Sequence, residues 1–150
     1  MGEIKTIFNK IAGHRVYLDT NLFIYFLDQN KEFFEVTAKI LKEVELGNFI
    51  AYTGDITVAE ILVKPYQTNN LLLVAKIKAF FATKDFISLQ SHNADTFDLS
   101  AQIRAKYNMK FADALHYATA LKSGCKFFIT NDINISSNEN LEVILLKDLS

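Results

Sequence analysis

Tryptophan is absent from this sequence, and proline and cysteine occur once each, as Pro65 and Cys125. One proline excludes a Pro-rich linker. One cysteine excludes an internal disulfide and a cysteine-based metal site, and it fits a reducing, cytoplasmic setting. No apolar run approaches the roughly 20 residues that span a bilayer, so no membrane partner is expected. The opening MGEIKTIFNKIAG carries charges where a signal peptide needs an apolar core. A surplus of positive charge is missing too. Lysine and arginine total 16 against 17 aspartate and glutamate, for a formal net charge of −1. That balance excludes a polybasic nucleic-acid binder. Any nucleic-acid contact has to use a local patch or a bound cation.

What is present is apolar mass. Of 150 residues, 50% are hydrophobic, with 13 Phe and 6 Tyr. Residues 1–150 therefore read as one globular domain with one sizeable core. Residues 1–14 form a leader, in which Ile4, Ile7, Phe8 and Ile11 have helical spacing.

Residues 15–19 read as a buried strand and 22–27 as a short helix. Residues 31–47 form an amphipathic helix, with Phe33, Val36, Ile40, Leu41 and Val44 on one face and Gly47 as its stop. Residues 49–53 are a second strand, followed by a helix over 56–64 that Pro65 ends. A helix over 70–83, a strand over 86–89, and helices over 93–107 and 111–123 follow. Strands over 126–130 and 141–146 complete the pattern. Strands separated by helices predict an α/β fold with a parallel sheet and right-handed crossovers.

Parallel strands end on one edge, and α/β proteins build sites there. Asp19 follows the first strand and Asp132 follows the fourth. Glu60 lies near the first turn of the helix that leaves the second strand. The helix over 111–123 runs directly into the fourth strand, so it is antiparallel to that strand and its start, with Asp113, returns to the same edge. Four converging carboxylates repel one another unless a cation holds them. Oxygen-only ligands favour Mg²⁺ or Mn²⁺. Thr20 and Thr130, beside these acids, are candidates to hydrogen-bond metal-bound water.

Each residue also has a purely structural reading. Asp19 can cap the next helix. Thr57 and Glu60 fit a capping box. Asp113 suits a first helical turn, and Asp132 suits a turn. His116 and His14 read as packing or surface histidines. Arg104, Lys106 and Lys110 form a small basic cluster that can guide a phosphate backbone or simply face solvent.

The segments LDTN, TVAEIL, FADALHYATAL and ITND, in that order, resemble the motifs of PIN-domain nucleases, most of all the VapC-type toxins of toxin–antitoxin pairs. The likeness runs from Arg15 onward. It implies a three-layer α/β/α fold with a five-stranded parallel sheet in the order 3-2-1-4-5. It implies metal-dependent endonucleolytic cleavage of RNA, with Asp19, Glu60, Asp113 and Asp132 as the acids and Thr130 as the hydroxyl residue. It also implies a small antitoxin protein as partner. The chain departs from the family pattern at Ala112, where proline is frequent, at Asn134, where a further acid sometimes stands, and in its longer leader.

Two other readings compete. A phosphotransfer hydrolase would use Asp19 as nucleophile, but it needs a second aspartate where Asn21 stands. A catalytically idle interaction module would have no use for four mutually repelling acids. The helix over 70–83 adds an expectation about assembly. Leu73, Val74, Ile77, Phe80 and Phe81 suffice to dock it, yet Leu71, Leu72, Ala75, Ala79 and Ala82 make its other side apolar as well. That side predicts a homodimer interface, unless residues 1–14 fold over it.

Overall fold

The computed structural model describes residues 2–149. Five short strands, β1 (Arg15–Leu18), β2 (Ile50–Gly54), β3 (Ile87–Gln90), β4 (Phe127–Thr130) and β5 (Glu142–Leu145), form one parallel sheet in the order β3-β2-β1-β4-β5. The predicted strand order is the observed one. The chain reverses its winding between the central strands β1 and β4, and this opens a crevice at their carboxyl ends.

The helices are α1 (Gly2–Ile11), α2 (Thr20–Leu27), α3 (Phe34–Glu45), α4 (Asp55–Gln67), α5 (Leu71–Thr83), α6 (Ala94–Tyr107) and α7 (Phe111–Lys122). They lie on both faces of the sheet because both faces of the central strands are apolar. Val16, Leu18, Phe127 and Ile129 join one core with Leu22 and Phe23 of α2, Ile40 of α3 and Ile77 of α5. Tyr17 and Phe128, the alternate residues, join a second core with Ile103 of α6 and Ala114, Tyr117 and Ala118 of α7. Burial on both faces explains why these strands are unbroken apolar runs and not alternating ones. Among the described residues, no helix is long and apolar enough to cross a membrane.

Three details differ from the expectations. The third helix starts at Phe34 and not at 31, because the Asn30 side chain accepts the N–H groups of Glu32 (2.9 Å) and Phe33 (3.0 Å) and holds residues 30–33 as a turn. Pro65 does not end α4, which continues to Gln67. A proline so near a C-terminus removes one hydrogen bond only, and the Thr68 N–H still reaches Lys64 O at 2.9 Å. Helix α1 does not cover α5. Its Phe8 packs on Phe49, 6.4 Å between ring centroids, and its Lys10 pairs with Glu142 of β5 at 2.5 Å. Leu71 and Leu72 of α5 are consequently 61% and 74% exposed.

Candidate active site

Asp19 sits one residue past β1, and the ladder to β4 carries on to meet it. Its N–H donates to Ile129 O at 3.0 Å. Its side chain does cap α2, accepting from the Thr20 N–H at 2.8 Å. The second carboxylate oxygen accepts from the Thr130 hydroxyl at 2.6 Å. That hydroxyl has no capacity left over: it also accepts the Asp132 N–H (3.0 Å) and the Asn21 amide (3.2 Å). The Asn21 carbonyl in turn accepts the Asn131 N–H at 3.2 Å. Asn21 and Thr130 thus tie the start of α2 to the end of β4 and fix Asp19 and Asp132 across the crevice. Asp19 is only 5% exposed, with both oxygens engaged, which is poor preparation for a free nucleophile.

Glu60 is held differently. The expected capping box is not formed, because α4 begins at Asp55 and Thr57 already lies inside its first turn. The Thr57 hydroxyl bonds Thr53 at 2.7 Å, and the Glu60 carboxylate turns inward. It lies 2.6 Å from His116 Nε2 and accepts from the Thr20 hydroxyl at 2.7 Å. His116 is buried, with Nδ1 at 2.7 Å from the Tyr17 hydroxyl and Nε2 at 3.6 Å from Asp19. Burial pushes the imidazole below its ordinary pKa. The hydrogen bond to Glu60 and the charges of Asp19, Glu60 and Asp113 outweigh this and hold it above. Burial pushes Glu60 up, and the bonds from His116 and Thr20 outweigh that and hold it below the ordinary carboxyl value. Both shifts run in the direction that favours an imidazolium–carboxylate pair. Burial, with the Asp19 charge, keeps the Tyr17 phenol protonated.

Asp113 and Asp132 form the open half. Asp113, half-buried in the first turn of α7, reaches this edge because Gly124, at φ +73°, turns the chain directly from α7 into β4. Burial raises its pKa, and the charges of Asp132 and then Asp19 raise it further. Asp132 closes a turn by accepting the Asn134 N–H at 2.9 Å, so its turn role is present as well. The two acids of this half offer carboxylate oxygens, which suit a hard cation that keeps part of its water. Among the described residues, however, no three His, Cys, Asp or Glu side chains are drawn into one ligand shell. The four predicted acids share an edge and feel one another's charge, but they are not closed around a common point.

The model of the PIN domain family matches residues 16–140. The chain belongs to the PIN-domain family. No individual curated protein matches it in sequence. Solved structures share the fold. A toxin–antitoxin complex from Klebsiella pneumoniae has a chain 18% identical, with a TM-score of 0.65 over 84% of this chain and 94% of that one. VapBC2 from Rickettsia felis, bound to a promoter DNA fragment, is 14% identical, with a TM-score of 0.66 over 87% and 98%. VapC20 from Mycobacterium tuberculosis, a sarcin-ricin loop cleaving toxin, is 12% identical, with a TM-score of 0.61 over 75% and 86%.

Within this PIN domain the sequence reading undervalued three residues. His116 read as a packing histidine and is instead the partner of Glu60. The signal for it was its place one helical turn after Asp113, on the same face. Asn21 read only as an absent aspartate and is a clamp. His92 drew no attention. Its Nε2 accepts the Ile56 N–H at 3.1 Å, and its Nδ1 faces the Thr119 hydroxyl at 3.1 Å. That hydroxyl already donates to Leu115 O at 2.7 Å, so His92 must donate from Nδ1 and is neutral. Gly54 exists to admit this ring, since a Cβ there would lie 2.6 Å from His92 Cε1.

Proposed function

We propose that this PIN domain is a divalent-metal-dependent endoribonuclease and the toxin of a toxin–antitoxin pair. The observation that carries the reading is the open half of the acid edge, where burial and then the charges of Asp132 and Asp19 hold Asp113 above the ordinary carboxyl value although His116 opposes them. Asp19, Asp113 and Asp132 would hold Mg²⁺ or Mn²⁺, with Glu60 as the fourth acid behind them. The bound ion would supply an activated water and neutralise charge on a phosphate. The chain's own contribution is to hold the acids still. Thr130 and Asn21 fix Asp19 against Asp132, and His116 with Thr20 fixes Glu60. The likeness to a sarcin-ricin loop cleaving toxin and to toxin–antitoxin complexes supports both the RNA substrate and an antitoxin partner.

The direct test is cleavage of RNA by the purified chain with Mg²⁺ or Mn²⁺. Asp19→Asn should remain folded and lose cleavage, and EDTA should silence the wild type. A wild-type rate in Asp19→Asn, or activity that survives EDTA, rejects the assignment. Single-stranded loops should be cut and duplex DNA spared, because a recessed edge needs a backbone that bends.

The assembly belongs to the same proposal. The outer face of α5 is left open by α1, with Leu71, Leu72, Ala75, Ala79 and Ala82 all exposed, and a second copy of the chain is its expected cover. Light scattering should report a homodimer. Leu72→Glu combined with Ala79→Glu should give a monomer, and a dimer that survives both changes rejects this face.

A further inference from the structure

A second exposed apolar surface lies beside the acid edge, and it is aromatic. Phe97 of α6 and Phe111, the first residue of α7, are 44% and 47% exposed. Their rings are parallel to within 4°, with centroids 6.4 Å apart. Two elements bring this pair to the edge. Phe97 rests on His92, 6.3 Å between centroids, and His92 receives the Ile56 N–H where α4 leaves β2. Phe111 opens the helix whose first turn carries Asp113. Phe111 and Asp113 share the first turn of α7, so the ring pair lies at the end of that helix that carries the acid.

Three cations stand beside this surface, although Asp95 and Asp98 of α6 and Asp113 of α7 are near it too and the chain's net charge is −1. Lys110 immediately precedes Phe111. Arg104 lies seven residues after Phe97, on the same face of α6, and its Nε donates to Met109 O at 3.3 Å. Lys106 lies 5.3 Å from the centre of the exposed Tyr107 ring. Among the described residues none of these three cations is paired with a carboxylate. Exposed, mutually ordered phenyl rings contribute little to the core, and flanking cations disfavour burial against an apolar protein face. Aromatic faces bordered by Lys and Arg are what an unpaired base and its phosphates require.

We propose that Phe97 and Phe111 form a stacking platform for an unpaired base of single-stranded RNA, with Lys110 and Arg104 holding the adjoining phosphates. This rests on the ribonuclease reading and adds to it where the strand lies as it enters the acid edge. It also gives the basic cluster a direction, since the cations flank the rings and not the outer face of α5.

The test uses the full chain and a short single-stranded RNA carrying 2-aminopurine, whose fluorescence falls when the base stacks. The wild type should bind and quench the probe. Phe111→Ala and Phe97→Ala should each weaken binding on the order of tenfold and lose the quenching. Phe111→Tyr should keep both. Lys110→Ala should weaken binding and flatten its salt dependence while leaving the bound base quenched. If the wild type binds and both alanine variants bind and quench as well as it does, the platform is overturned while the ribonuclease reading stands. A change of oligomeric state in Phe111→Ala assigns the surface to a protein contact and overturns the platform too. Failure of the wild type to bind RNA, with or without Mn²⁺, overturns both.

Discussion

On one side of the acid edge, Asp19 and Glu60 are surrounded by donors. On the other, Asp113 and Asp132 lie among carboxylates. The first pair is finished by the protein itself: the Thr20 N–H, the Thr130 hydroxyl and His116 supply what the carboxylates need. The second pair lacks such donors, and burial together with the charges of Asp132 and Asp19 raises the Asp113 pKa. The difference teaches that four acids on one edge are not four equivalent ligands. A carboxylate already bonded by buried donors is a fixture, and one held among like charges is a place where something positive is missing.

The largest effect expected from breaking this contrast is on activity. Asp19→Asn and Asp113→Asn should both abolish RNA cleavage, yet shift Tm in opposite directions. Asp19→Asn sets an amide N–H against the Thr130 hydroxyl, whose accepting positions are already filled, and should lower stability by about 1–3 kcal/mol. Asp113→Asn removes a repelling charge and should raise Tm. Thermal melts of the two variants decide this; shifts of the same sign remove the distinction between the halves.

Next in size is the hydroxyl that joins them. Thr130→Val deletes one donated and two accepted hydrogen bonds and should cost about 2 kcal/mol, measurable by urea denaturation. Thr130→Ser should recover most of the loss. If Ser is as damaging as Val, the methyl packing matters and the hydroxyl does not.

The pH dependence should isolate the closed half. His116 has a raised folded pKa, so its stabilisation is complete below about 6.5 and is lost as pH rises through the higher folded value. Glu60 has a lowered one, so its stabilisation is complete above about 4.3 and is lost as pH falls through the lower folded value. The pair should therefore stabilise most between those limits. The Tm difference between wild type and Glu60→Gln should be greatest there and shrink on further alkalinisation. A difference that is flat across pH denies the ionised pair.

The smallest effect comes from filling the open half. Mn²⁺ at a concentration equal to its dissociation constant should stabilise the wild type by about 0.4 kcal/mol and leave Asp113→Asn unmoved. An equal response in both places the ion elsewhere.

Much of this was legible in the residues alone. Apolar runs ending in Asp19 and before Asp132, with helices between strands, were enough to predict a parallel sheet and to send both acids to its carboxyl edge, because connectivity constrains direction. The two-sided apolarity of α5 was legible for the same reason: helical periodicity assigns faces without reference to contacts. The strand order came from likeness to a family and not from periodicity, which says nothing about which strands are neighbours. Other features were decided by tertiary structure. Whether Glu60 would reach back to cap its own helix or turn to His116 depends on α7 bringing an imidazole within 2.6 Å, an encounter between residues 56 positions apart. Pro65 stays helical because it falls in the last turn, and local preference cannot say where a packed helix will stop. The sequence alone determined which chemical groups meet the edge. Packing across the sheet decided which are satisfied there and which remain charged and open, since hydrogen bonds between distant segments exist only once the chain has folded.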